Sequence, residues 1–197
     1  LRNLTWMMVG IYQGRSVHLS DDASKIPSRA KELSIARRLS RFLTNPAMRV
    51  REWYAPVARN LLQSMAQTVG EIRLIADGTK VGFNHQLLMI AIAYRRRALP
   101  IAWTWVRCAN GHSSARKQLA LLAYVRRLVP KEVPVLLVGD SEFCAVPVSR
   151  QLEKWQWDYV LRQKANHQVR LASSSTWQRL GDLIENPGQR EPASMFL

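Results

Sequence analysis

At Glu71 the spacing of apolar residues changes, and no other feature of this chain constrains its fold more. Before that point the apolar residues recur at helical intervals. Asn3 to Gln13 is apolar on most faces and closes at Gly14, a favoured helix terminator. Ser20 followed by Asp21 and Asp22 is a helix-start signal with acids in the first turn. Between Arg29 and Asn45, the residues Ile35, Leu39, Phe42 and Leu43 fall at i, i+4, i+7 and i+8. One stripe therefore packs inward while Arg37, Arg38 and Arg41 face elsewhere, and Pro46 ends the helix. A last helix is predicted from about Pro56 to Thr68, with Val57, Leu61 and Met65 on one face and Gly70 at its end.

Beyond Glu71 the pattern is that of strands. Arg73 to Asp77, His85 to Tyr94 and Ile101 to Arg107 are short apolar or alternating runs. The triplet Arg95-Arg96-Arg97 lies at a hairpin-like connection between the second and third. Ser113 or Ser114 then caps a helix with Leu119, Leu122, Val125 and Val129 as its apolar stripe, ended by Pro130. Val133 to Gly139 is a continuous apolar run of the kind buried on both faces of a sheet. A helix over Val146 to Lys154 and a strand over Trp157 to Arg162 follow. The order is three strands, helix, strand, helix, strand, and the first and fourth strands each end in a lone acid, Asp77 and Asp140. Side by side, those strands would bring two carboxylates together, a repulsive arrangement unless a cation or a shared proton offsets it. Hard divalent ions such as Mg²⁺ or Mn²⁺ suit such oxygens. The bland reading of Asp77 is a turn residue before Gly78.

Charge narrows the partner. Residues 1–60 carry 11 basic and 4 acidic side chains, residues 61–140 again 11 and 4, and the remainder 7 and 6. The excess positive charge thus lies in the two thirds that hold the two acids, and a field of this sign attracts polyanions such as nucleic acid. Arg37, Arg38 and Arg41 are either contacts of a helix-turn-helix-like DNA-binding module or a plain solvated face. Lys80, Arg107, Arg162 and Lys164 stand near predicted strand ends close to the acids, where they would hold phosphate without reading sequence. His85 and His112 are isolated and read as structural. The longest apolar stretch, Leu87 to Tyr94, is far short of the roughly 20 residues of a membrane span. Cys108 and Cys144 have neither metal-ligand nor redox spacing and fit a reducing cytosol.

Four motifs in register give a resemblance. Leu74-Ile75-Ala76-Asp77-Gly78-Thr79, Ala98-Leu99-Pro100 with Ile101-Ala102-Trp103, Val138-Gly139-Asp140-Ser141-Glu142-Phe143, and Trp157-Asp158-Tyr159-Val160-Leu161-Arg162 resemble the DDE transposases of bacterial insertion sequences. The stretch from Ser34 to Leu43 resembles the leader region of those enzymes. The resemblance implies an α/β, ribonuclease H-like mixed sheet flanked by helices and preceded by a small all-helical region. It divides the chain into a DNA-binding-like region (1–70), a catalytic core (71–165) and the start of a β-rich insertion (166–197). It also implies a cytoplasmic, nucleoid-associated enzyme acting on double-stranded DNA, as a homodimer in its complete form, with two Mg²⁺ or Mn²⁺ ions held by Asp77, Asp140 and a later Glu.

The sequence departs from that pattern at the third acid. The family's Tyr-x-x-Arg-x-x-x-Glu signature is missing: Tyr159 and Arg162 have its spacing, but Asn166 stands in the acid's place. Glu185 and Glu191 follow a Ser-, Gly- and Pro-rich region and are poor substitutes, so the expectation is a copy truncated before its last core helix and inactive by itself. Ser141 stands where relatives often carry Arg, and Glu142 is expected to point away from Asp140, from where it could still reach a metal through water. Two readings stay open: a metal-dependent transposase, or a non-catalytic DNA-binding and dimerising remnant that inhibits an intact copy.

Overall fold

The computed structural model describes residues 2–82, 84–107, 113–171, 174–183 and, as backbone, 195–196. Two compact units divide the chain, one up to Trp53 and one from Tyr54 onward.

The first unit contains α1 (Arg2–Gly14), α2 (Leu19–Lys25) and α3 (Glu32–Leu43). Its small core is Ala23, Ile26, Ile35 and Leu39, with Trp6, Met7, Leu19 and Ala36 packed around it. The expected α3 stripe is present at Ile35 and Leu39, whereas Leu43 is 51% exposed. Helices α1 and α2 meet at Gly10, where a Cβ would lie 3.0 Å from the Asp22 backbone, so only glycine permits the approach. That approach also seals Asp22, which is 1% exposed with no hydrogen-bond partner for either carboxylate oxygen among the described residues. Burial, and then the charge of Asp21, push its carboxyl above the ordinary 3.8, while His18 acts in the opposite sense. The folded unit therefore holds this proton more tightly than the unfolded chain. The associated stability is present below the ordinary value and is lost as pH rises through the raised folded one. Asp22→Asn is expected to stabilise the first unit by about 1 kcal/mol at neutral pH, because a neutral amide is cheaper to bury than a carboxylate. Melting curves of both proteins between pH 4 and 8 check this, since the mutant's curve should be the flatter.

The second unit opens within α4 (Val50–Val69), which starts six residues before the expected Pro56 and carries that proline inside it. The fully buried residues are Ala55, Ala58 and Leu62; of the expected stripe, Leu61 and Met65 pack partly buried against the core, whereas Val57 is 48% exposed. All three buried residues belong to the same core as Ile72, Leu74, Ile90 and Ile92 of the sheet that follows. Strands β1 (Ile72–Val81), β2 (His85–Tyr94), β3 (Arg97–Arg107), β4 (Val135–Gly139) and β5 (Asp158–Leu161) form one sheet in the order β3-β2-β1-β4-β5. β1, β2 and β3 are antiparallel, while β4 and β5 run parallel to β1. Helices α5 (Ala115–Arg126) and α6 (Val146–Lys154) make the crossovers. Pro100 is tolerated because β3 is an edge strand, and a register shift at Ile90/Ala91 accommodates it.

This is the ribonuclease H-like order that the resemblance implied. β2 and α6 have their expected bounds. β1 differs: it continues four residues past Asp77, because β2 keeps pairing with it through Val81↔His85. The turn reading of Asp77-Gly78 is thereby excluded, since Gly78 pairs with Leu88 inside the ladder. β6 (Gln168–Leu171), β7 (Gln178–Arg179) and β8 (Met195–Phe196) form a separate small sheet. Among the described residues no helix is long and apolar enough to cross a membrane. Cys108, His112, Glu185 and Glu191 lie outside the described residues.

Candidate active site

Register decides where the two acids lie. The β1–β4 pairing runs from Ile72↔Val135 to Ala76↔Gly139. Asp77 and Asp140 are the next residue on each strand, so they emerge from neighbouring strands that lie about 4.8 Å apart. Asp77 stays within the sheet through its pair Met89, whereas Asp140 leaves it into a turn. Both acids are exposed. Each has one oxygen tied to local backbone: the Gly78 N–H donates to Asp77 Oδ1 at 2.8 Å, and the Glu142 N–H to Asp140 Oδ1 at 3.0 Å. These bonds orient the carboxylates and leave the second oxygen of each without a bond to those amides.

Glu142 is directed elsewhere. Its Oε1 accepts from the Ser113 backbone N–H at 3.0 Å and the Ser113 hydroxyl at 2.6 Å, and its Oε2 accepts from the Gln86 amide. Gln118 completes the network by donating to the Glu142 carbonyl at 2.8 Å and to Ser113 Oγ at 2.9 Å. A Cβ on Gly78 would collide with the Glu142 carboxylate. The space beside Gly78, on the face of β1 opposite Asp77, therefore belongs to Glu142, as the expectation that it points away required. Gln86 and Gln118 are 2% and 1% exposed. Sequence reasoning passed over both; their signal was an amide inside an otherwise apolar strand and helix stripe.

The basic residues separate by location. Arg162 follows β5 directly, and its N–H bonds the Gly139 carbonyl at 3.0 Å, which sets it beside Asp140; Lys164 lies two residues further on. Lys80 is on β1 three residues beyond Asp77, paired with Gln86 and so on the opposite face from Asp77. Arg107 ends the edge strand β3, with all of β2 between it and β1. In the first unit, Arg37 and Arg41 line an open groove of about 630 Å³ with Lys31 and Ser34. Arg38 does not line it: its guanidinium stacks over Trp6 at 4.9 Å and donates to Asn3 Oδ1 at 3.0 Å, bracing α3 against α1.

Among the described residues no group of three or more His, Cys, Asp and Glu converges as a metal site. The two aspartates nevertheless fit a hard cation by donor chemistry, because Mg²⁺ is commonly held by one or two carboxylates with water and substrate phosphate completing its shell.

Fold and site together define an α/β domain of ribonuclease H-like topology with two carboxylates where its central parallel pair ends. Compared with protein-family models and with curated proteins, the chain gives no match. Among solved structures it is similar to the catalytic domain of Mos1 mariner transposase, at 16% identity over 57% of this chain and 60% of that one, with a TM-score of 0.34. It is also similar to the Mos1 transposase catalytic domain with Raltegravir and Mn (14%, 54% and 57%, TM-score 0.33). The Mos1 strand transfer complex is a third (11%, 80% and 56%, TM-score 0.33). The chain spans less than two thirds of each of those chains, and at these scores the superpositions add nothing to the strand order, which defines the fold by itself.

Proposed function

We propose that this chain carries the phosphodiester chemistry of a DNA transposase of the bacterial insertion-sequence type, with Asp77 and Asp140 holding a divalent cation, Mg²⁺ or Mn²⁺. The observation that carries the reading is the register Ala76↔Gly139, which makes the two acids neighbours although 62 positions separate them in the chain. When bound, such a cation polarises phosphate and lowers the pKa of water, supplying a nucleophile at neutral pH. The chain's own residues do the rest. The backbone N–H groups of Gly78 and Glu142 fix the carboxylate orientation. Arg162 and Lys164 offer positive charge to the phosphate backbone from the Asp140 side, and Arg37 and Arg41 do so from the groove on α3. A complete enzyme of this type works in the nucleoid-bearing cytoplasm as a homodimer on double-stranded DNA, with a third acid completing a two-metal site.

A second reading has its own observation in favour. No third carboxylate joins the pair among the described residues, since Glu142 is committed to Ser113 and Gln86. The chain would then bind DNA without cutting it. Titration with Mn²⁺, followed by the melting temperature, tests the shared part of both readings. The wild-type chain should be stabilised by the ion and Asp140→Asn should lose that shift. Identical shifts in the two proteins reject the metal site. Incubation of end-labelled duplex with Mn²⁺ then separates enzyme from binder.

A further inference from the structure

Three arginines in a row cross the β2–β3 connection, and the metal-site reading does not use them. Tyr94 pairs with Arg97, so the turn is the two residues Arg95 and Arg96, with φ of +43° and +65°. Two positive φ values in a two-residue hairpin are the signature of a type I′ turn, a position that Asn-Gly fills best and that a β-carbon-bearing residue without a short polar side chain fills at a steric cost. Arginine is therefore a poor choice for the turn itself. The Arg95 guanidinium lies over the Tyr94 ring at 5.3 Å, and Arg95, Arg96 and Arg97 are all exposed. They border an open groove of about 570 Å³ that reaches Met65 and Val69 at the end of α4. Its one acid, Glu71, is already paired with Arg73 at 2.9 Å, and among the described residues Arg95, Arg96 and Arg97 make no ion pair.

We infer that the Arg95-Arg96-Arg97 turn is a second seat for the phosphate backbone of duplex DNA, remote from the carboxylates. It rests on the reading above only in taking DNA as the partner. Asp77 pairs with Met89, five residues before Tyr94 on β2. At about 3.4 Å per residue the turn is roughly 17 Å from the acids along the sheet, which matches about five base pairs of duplex. A backbone lying along this sheet meets both places, and the arginines fix its direction without reading bases.

The test is anisotropy binding of the 197-residue chain to a labelled 30-mer duplex in EDTA, over a series of NaCl concentrations, against the double variant Arg95→Asn/Arg96→Gly. The replacement suits the turn, so its melting temperature should be unchanged or higher. Its dissociation constant should rise about tenfold or more at moderate salt, and its salt slope should fall by about 1.8, as removal of two phosphate contacts requires. Arg95→Lys/Arg96→Lys should keep most of the slope. An Asn-Gly variant with wild-type affinity and slope overturns the proposal, as does one whose affinity falls only together with its melting temperature. With no metal present, either result leaves the Asp77–Asp140 site standing. A wild-type chain with no salt-dependent affinity for the duplex overturns DNA as the partner altogether.

Discussion

Asp77→Asn is expected to lower Mn²⁺-dependent cleavage of duplex DNA by about 10³-fold, a loss of about 4 kcal/mol of transition-state stabilisation. The substitution isolates charge from shape. Asn keeps the Oδ1 acceptor that the Gly78 N–H uses, so the β1 backbone and its pairing with Met89 stay as they are. The exposed position adds no burial cost in either form. What changes is the negative charge that would hold the cation. Rates at saturating Mn²⁺, with the melting temperature as the control for folding, check this. A cut as fast as wild type, in a protein of unchanged stability, would remove Asp77 from the chemistry, and Asp140 would then have no partner acid on the neighbouring strand.

Glu142→Ala has the second large effect, on stability first and on the site through it. The Glu142 carboxylate is the common acceptor for Gln86 and for both donors of Ser113. Its removal takes from Gln86, only 2% exposed, and from Ser113 the bonds they make to a carboxylate, and hydrogen bonds to a charged group are each worth about 1.5–3 kcal/mol. A loss of about 3 kcal/mol is expected, or roughly 6–12 °C in melting temperature for a unit of this size. Because the Glu142 N–H also holds Asp140 Oδ1, the loop bearing that acid should loosen, and Mn²⁺ affinity should fall even at temperatures where the protein is folded. Glu142→Gln keeps the shape but turns one acceptor into a donor facing Gln86 or Ser113, and should lie between the two. A positioning role predicts this graded order. A metal-ligand role for Glu142 would instead make Gln as damaging as Ala to Mn²⁺ affinity while leaving stability nearly intact.

The site was partly legible before any coordinates. Asp77 and Asp140 stood out because each closes an apolar run, and two such strands side by side would bring the carboxylates together. Helix α3 could be read for its buried stripe, since Ile35 and Leu39 obey the helical period. It could not be read for which arginine is available: Arg38 and Arg37 are adjacent in sequence, and only the position of Trp6 on another helix removes Arg38 from the groove. The same limit hid α4. Pro56 looks like a first-turn residue, but the helix begins at Val50 and places Ala55, Ala58 and Leu62 in the core.

Local chemistry along the chain determined the element types, their order, the positive field and the two acids, because periodicity, capping and charge are properties of neighbouring residues. Tertiary structure decided that Ala76 and Gly139 share a rung, that Glu142 turns to Gln86 and Ser113, that Asp22 is sealed by Gly10, and that two arginines sit in a left-handed turn. Each of those depends on which atoms from distant segments compete for the same space and the same hydrogen bonds, and no window of sequence contains that competition.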